Sequence, residues 1–322
     1  MELKPEIVER LKQLDEKYQA MGQSLTSYLD GLLYADYLTY WDYIHLDTLL
    51  SLQNPKTKLP DEEIFIMYHQ ITELYFKLCL HEYDQIAEKE NPDVKFLTDR
   101  INRINRYFEA LITSFDIMVD GMDPQQFLKF RMSLLPASGF QSGQYRMIEI
   151  CSTSFKNLVS KDMRGKFTEE AGDEQIEKMY EHIYWKAGAT ELASGKKTLT
   201  LVQFEEKYSS QFKQLAKKFK HKNLLSLYKS FSASDQKNEQ LILALRQMDV
   251  NVNINWPLSH YKSAVRYLQA DPEDIAATGG TNWQKYLPPR FQKRIFYPEL
   301  WSENEIAEWG KGWVKTVVFD KK

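Results

Sequence analysis

Cysteine is nearly missing: Cys79 and Cys151 are the only two in 322 residues, and no CxxC pair exists. That excludes a disulfide scaffold and a cysteine-held zinc or redox centre. Both thiols sit in apolar helical context and read as buried groups of a reducing compartment. Glycine and proline are scarce, at 13 and 11, which permits long runs of helix. No apolar run reaches the length needed to cross a bilayer, and Met1-Glu2-Leu3-Lys4-Pro5-Glu6 has no apolar signal core, so a cytoplasmic protein is expected. The charges nearly cancel, 42 basic against 45 acidic for a net of −3, which argues against nucleic acid or a membrane surface as a partner. The one basic run, Lys213, Lys217, Lys218, Lys220, His221 and Lys222, is spaced along a helix and reads as a solvated face. No GxGxxG, Walker or HExxH pattern occurs, and no Ser/His/Asp ordering points to a hydrolase.

What remains is helix. Ile7, Leu11, Leu14, Tyr18 and Met21 predict an amphipathic helix over residues 5 to 30. Asp61 is expected to cap a long helix over 62 to 89, apolar on more than one face and therefore central. Further helices are predicted over 95 to 119, from Asp123-Pro124 onward, from Gly139 to Val159, near 174 to 185, over 201 to 219 and 235 to 248, and from Pro257 to before Pro272. No segment alternates as strands do. The fold class is all-α, a helical bundle. An N-terminal segment, 1–37, is expected to serve oligomerisation and a catalytic domain to fill 38–322. The irregular, charged stretch 160–200 reads as a helical insertion.

Aromatic residues reach 13%, and that richness suits core packing or aromatic-lined pockets. The run Phe127 to Arg146 reads helix, interruption, helix: Pro136 and Gly139 break the first helix and Ser138 is placed to cap the second. Arg131 beside that break suits a small anionic group. Of six histidines, two are distinctive. His260 lies one turn into the helix from Pro257, with small neighbours Ser263 and Ala264 that leave room for a flat ligand. His69 lies in the central helix, one turn after Phe65 and one before Glu73. His81 is too far along that helix, about 18 Å, to share a metal with His69. The Thr278-Gly279-Gly280 loop offers backbone amides to a carboxylate.

Four segments resemble tryptophan 2,3-dioxygenases, the haem enzymes that open the indole ring. They are Leu38-Thr39-Tyr40-Trp41-Asp42-Tyr43 through Leu46-Asp47, Phe65 to Lys77 with His81-Glu82, Phe127 to Arg146, and His260 with Arg266 followed by Thr278-Gly279-Gly280. The resemblance implies that His260 is the proximal ligand of haem b and that His69 is the distal histidine bonding the indole N–H. It also implies that Arg131 forks onto the substrate carboxylate, a geometry lysine lacks, and that Thr278 holds the ammonium and carboxylate. Phe65 would pack on the indole and Ser138 would lie near the haem. Tyr40 and Tyr43 would reach into a neighbouring subunit of a homotetramer built as a dimer of dimers. The implied reaction joins L-tryptophan, or a close analogue, and O2 to give N-formylkynurenine. Three features depart from the family pattern: the loop reads Ala277-Thr278-Gly279-Gly280-Thr281-Asn282-Trp283 where Gly-Thr-Gly-Gly-Ser-Ser-Gly is usual, the link from His260 to it is several residues longer and contains Asp271-Pro272-Glu273-Asp274, and Phe127 stands where tyrosine is common. These keep open a haem monooxygenase of a tryptophan-like amino acid, or a non-enzymatic haem- or indole-binding sensor.

Overall fold

A computed structural model describes residues 3–134, 141–168, 172–189, 196–268 and 293–311. Among them the fold is all-α, as the patterning predicts, with Val159 and Ile183 forming an isolated β-bridge. The chain divides into two compact units, Met1–Asn54 and Pro55–Lys322, whereas the sequence reading placed the division after residue 37.

The first unit holds α1 (Pro5–Ala20), α2 (Leu25–Leu33), α3 (Tyr40–Tyr43) and α4 (Leu46–Leu49). The single helix expected over 5 to 30 is thus two. Gly22, at φ +68°, turns the chain between them, a conformation that costs glycine little. Tyr18 and Tyr28 then stack at 4.3 Å. Leu25 is the one buried residue described in this unit, while Leu32, Leu33 and Tyr37 are 72%, 75% and 95% exposed.

The second unit is built on α5 (Asp61–Glu88), α6 (Val94–Ser114), α7 (Asp116–Asp120), α8 (Pro124–Phe130), α9 (Gly143–Ser152), α10 (Lys161–Arg164), α11 (Asp173–Glu181), α12 (Leu199–Lys218), α13 (Leu224–Ser230), α14 (Glu239–Val250), α15 (Trp256–Leu268) and α16 (Glu303–Ala307). Helices α14, α6, α5, α9 and α12 pack in that order. On α6, Leu97, Ile101, Ile104, Phe108 and Leu111 recur at steps of four and three, and all are fully buried. Each such side chain contributes roughly 1.5–3 kcal/mol. Glu82 of α5 is buried against α6, where Arg103 pairs with it at 2.9 Å, Arg100 at 3.2 Å, and the Tyr107 hydroxyl donates at 3.1 Å. Gly143 opens α9 where a side chain would strike the Tyr208 ring of α12, at 2.6 Å from an added Cβ. Residues 173–189 send Ile176, Met179, Tyr180 and Trp185 into the same core.

Three local expectations change. Asp61 does not cap α5; Pro60 holds that position, and the Asp61 carboxylate accepts the Asp123 N–H at 2.5 Å. Asp123 itself caps α8 by accepting from Gln126 N, so the starts of α5 and α8 are tied together. Helix α9 begins at Gly143, four residues later than expected, because Ser142 supplies its cap through a bond from Tyr145 N at 3.2 Å; Ser138 lies outside the described residues. Pro257 does not start a helix. Helix α14 runs through a π-turn, Asn251–Asn255, straight into α15.

The chain then returns to this rod. Phe296 N and Tyr297 N donate to the Asp249 carboxylate at 2.9 and 3.1 Å, and the Trp301 indole N–H donates at 3.0 Å. Burial raises the Asp249 carboxyl to about 6 even so. Asp249→Ala leaves these buried donors without an acceptor. It should lower the unfolding free energy by about 3 kcal/mol at neutral pH, measured by chemical denaturation.

Candidate functional site

Tying α5 to α8 brings Phe65 beside the Phe127–Arg131 segment. The Phe65 ring lies 5.7 Å from Phe130 and 6.2 Å from Phe127, and Phe127 in turn lies 4.7 Å from Tyr267 of α15. His69 follows Phe65 by one turn, with the two rings 4.1 Å apart. Its Nδ1 is 2.7 Å from the Phe65 carbonyl oxygen. A carbonyl only accepts, so Nδ1 carries the hydrogen and Nε2 keeps a free lone pair. His69 retains solvent access on one side, yet the protein around it withdraws enough water to lower its pKa. The imidazole is therefore neutral at physiological pH. Glu73, one turn on, opposes that shift weakly; its backbone and carboxylate oxygens both accept from Gln144 Nε2 at 2.8 Å.

His260 repeats the same device on α15. Its Nδ1 is 3.0 Å from the Trp256 carbonyl oxygen, four residues back, which again leaves Nε2 free. The ring lies 4.5 Å from Phe115 and 4.4 Å from Trp256. Burial, helped by the nearby His69, pushes its pKa from 6.5 down to about 4. A neutral imidazole with Nδ1 held by a carbonyl and Nε2 exposed in an aromatic setting is the form that ligates a metal. This donor fits the axial ligand of haem that the resemblance implies. The smallness of Ser263 has a different use from the one expected: its hydroxyl donates to the Met118 carbonyl at 3.0 Å and ties α15 to α7.

Arg131 begins the 3-10 turn Arg131–Leu134 that extends α8, and burial lowers the pKa of its guanidinium. It stands next to Phe130 in sequence, at the end of the wall that carries Phe65 and His69. Tyr40 and Tyr43 lie on α3 of the first unit and are exposed. Ser138 and Thr278, with Gly279 and Gly280, fall outside the described residues. Sequence reasoning did not single out Phe115, Trp256, Phe130 or Tyr267. Phe115 is 145 positions from His260, and aromatic richness was the only available signal of such contacts.

His260 has a folded-state pKa below that of an unfolded histidine. Its contribution to stability is therefore full above pH 6.5 and is lost as pH falls toward 4. In the haem-free protein the His260 ring should stay neutral down to about pH 5 by NMR titration; a midpoint at 6.5 or higher would place the ring in bulk water.

A family profile for tryptophan 2,3-dioxygenase matches residues 30–182. The tryptophan 2,3-dioxygenase of Ruegeria sp. (strain TM1040) is 41% identical over 117 residues, which is 36% of this chain and 42% of that protein. That of Bradyrhizobium diazoefficiens is 40% identical over 117 residues, 35% of this chain and 40% of the relative. That of Bacillus thuringiensis (strain Al Hakam) is 42% identical over the same length, with the same shares. The chain therefore spans about two fifths of the length of the curated relatives it matches. The profile takes in Tyr40, Tyr43, Phe65, His69, Arg131 and Ser138, and stops short of His260 and Thr278. Over residues 30–182 the chain is similar to the tryptophan 2,3-dioxygenases.

Proposed function

We propose that the chain is a cytoplasmic haem dioxygenase that cleaves the indole C2–C3 bond of L-tryptophan with O2 to give N-formylkynurenine. The observation that carries this reading is the pair of neutral imidazoles, each with Nδ1 bound to its own i−4 carbonyl and Nε2 left free. One lone pair suits a metal and the other suits an N–H donor. Haem b, when bound, supplies the activation of dioxygen. The protein does the rest. His260 Nε2 would hold the iron. His69 Nε2 accepts the indole N–H and fixes the ring's angle without removing its proton, since the indole C3 is electron-rich as it stands. Phe65, packed on His69 at 4.1 Å, offers a face for the indole. Arg131 takes the carboxylate as a bidentate, charge-assisted pair, a partner that offsets the desolvation of its guanidinium. Thr278 completes the amino-acid end.

The test is mass spectrometry of the product from reduced protein, L-tryptophan and labelled O2. Two labelled oxygens are expected; one would make the protein a monooxygenase and none would remove the enzymatic reading. Arg131→Lys should lower kcat/KM at least roughly thirtyfold, because lysine cannot form the fork. Equal turnover of tryptamine, which has no carboxylate, would place Arg131 elsewhere.

The proposal includes a homotetramer, with Tyr40 and Tyr43 contributed across a subunit boundary. Two observations support self-association. The first unit exposes most of its apolar side chains, and α5 carries a stripe, Met67, Ile71, Leu74 and Leu78, that is 38% to 50% exposed. Its steps of four, three and four keep it on one helix face. Leu74→Glu should reduce the assembly to a smaller species by light scattering; an unchanged tetramer would take this stripe out of the interface.

A further inference from the structure

Met248, Val252, Trp256 and His260 follow one another in steps of four. In an unbroken α-helix those twelve residues turn through about 1200°, which leaves His260 roughly 120° round the axis from Met248. The π-turn Asn251–Asn255 inserts one residue and takes back about 100° of that offset. It is this turn that lets one rod send Met248 to the Tyr83 and Tyr297 hydroxyls, at 3.9 and 3.4 Å, and His260 to Phe115.

The turn has a gap in its own hydrogen bonding. Trp256 N–H donates to the Asn251 carbonyl, five residues back. The next carbonyl in that pattern, Val252, would take the N–H of residue 257, which is proline and has none. Its hydrogen bonds come from outside the helix. The Tyr145 hydroxyl of α9 donates to Val252 O at 2.9 Å, and Arg294 Nη2 donates at 3.4 Å. Arg294 Nη2 also donates to the Tyr145 oxygen at 2.8 Å, its Nε donates to Asn253 Oδ1, and its Nη1 pairs with Glu149 at 2.5 Å. Tyr145 and Arg294 are both buried.

We propose that Tyr145 and Arg294 are positioning residues for His260. By supplying the hydrogens that Pro257 withholds from Val252, they hold the π-turn, and with it the direction in which the His260 imidazole faces. The consequence for haem rests on the function proposed above; the consequence for the turn does not.

Two substitutions separate this role from a general one in packing. Tyr145→Phe removes the hydroxyl and keeps the ring. Pro257→Ala supplies an N–H at the position whose absence Tyr145 makes good. The haem-free protein is compared by hydrogen exchange over residues 251–262 and by the NMR resonances of the His260 ring. The loaded protein is compared by its rate of haem loss and by the ferrous iron–imidazole stretching band. Tyr145→Phe should speed exchange in that stretch and haem loss by roughly tenfold each, with both spectroscopic signatures shifted and α6 exchange unchanged. Adding Pro257→Ala should restore all four toward wild type. Equal loosening in the single and double variants overturns the proposal, since the hydroxyl would then act through the Arg294–Glu149 cluster alone. If Tyr145→Phe does not fold, Arg294→Lys takes its place, with rescue by Pro257→Ala judged in the same way. If the wild type takes up no haem, the proposed function fails, while exchange and the His260 resonances still decide the positioning role.

Discussion

A carbonyl inside a protein must find a hydrogen, and the chain itself denies one to Val252. The missing donor at Pro257 falls in the middle of the helical rod Glu239–Leu268, a place where a proline ordinarily kinks or ends a helix. Here the rod continues because α9 and the returning segment at Arg294 deliver the hydrogens from the side. That requirement draws charge into the interior. Arg294 and Arg146 share Glu149, and the Tyr184 hydroxyl lies against all three. Asp249, reached through Asn253, supplies the second negative charge. Two buried cations thus meet two buried anions, which is the condition under which ions are tolerated away from water.

The same accounting explains the two histidines. A buried imidazole is stable only when neutral or paired, and a neutral one needs an acceptor for its single N–H. Each histidine finds that acceptor on its own helix, at the carbonyl one turn back. The N–H is consumed locally, so what each ring offers to its surroundings is a lone pair. The reaction proposed above uses two such lone pairs with different tasks, one for a metal and one for an indole N–H. Aromatic rings pack against both: Phe65, itself against Phe130, beside His69, and Phe115 and Trp256 beside His260.

Residues 1–54 obey a different constraint. They form helices from good local signals, with Thr39 capping α3 and a glycine turn between α1 and α2, but they bury almost nothing. Helices this short are marginal without packing. A segment that spends its apolar residues on its surface is suited to finding its core in an assembly.

Local patterns carried the all-helical architecture. The apolar steps on α6, the aspartate-proline start of α8 and the scarcity of glycine each act within one or two turns, so the residues alone determined them. The two histidines were picked out by the residues beside them and given roles by resemblance, but nothing in the sequence revealed their tautomers, which depend on which carbonyl each ring faces. The sequence also misled where a distant group made up a local deficit. Asp61 looked like a cap and serves α8 instead. Pro257 looked like a helix start and lies within a continuing rod. Phe115 gave no sign that it would meet a ring 145 positions away. A helix's periodicity and caps are settled by neighbours four residues off, and these the sequence determined. Where an orphaned carbonyl finds its hydrogen, and which way His260 therefore faces, depends on side chains brought from α9 and from Arg294, and only the tertiary structure decided that.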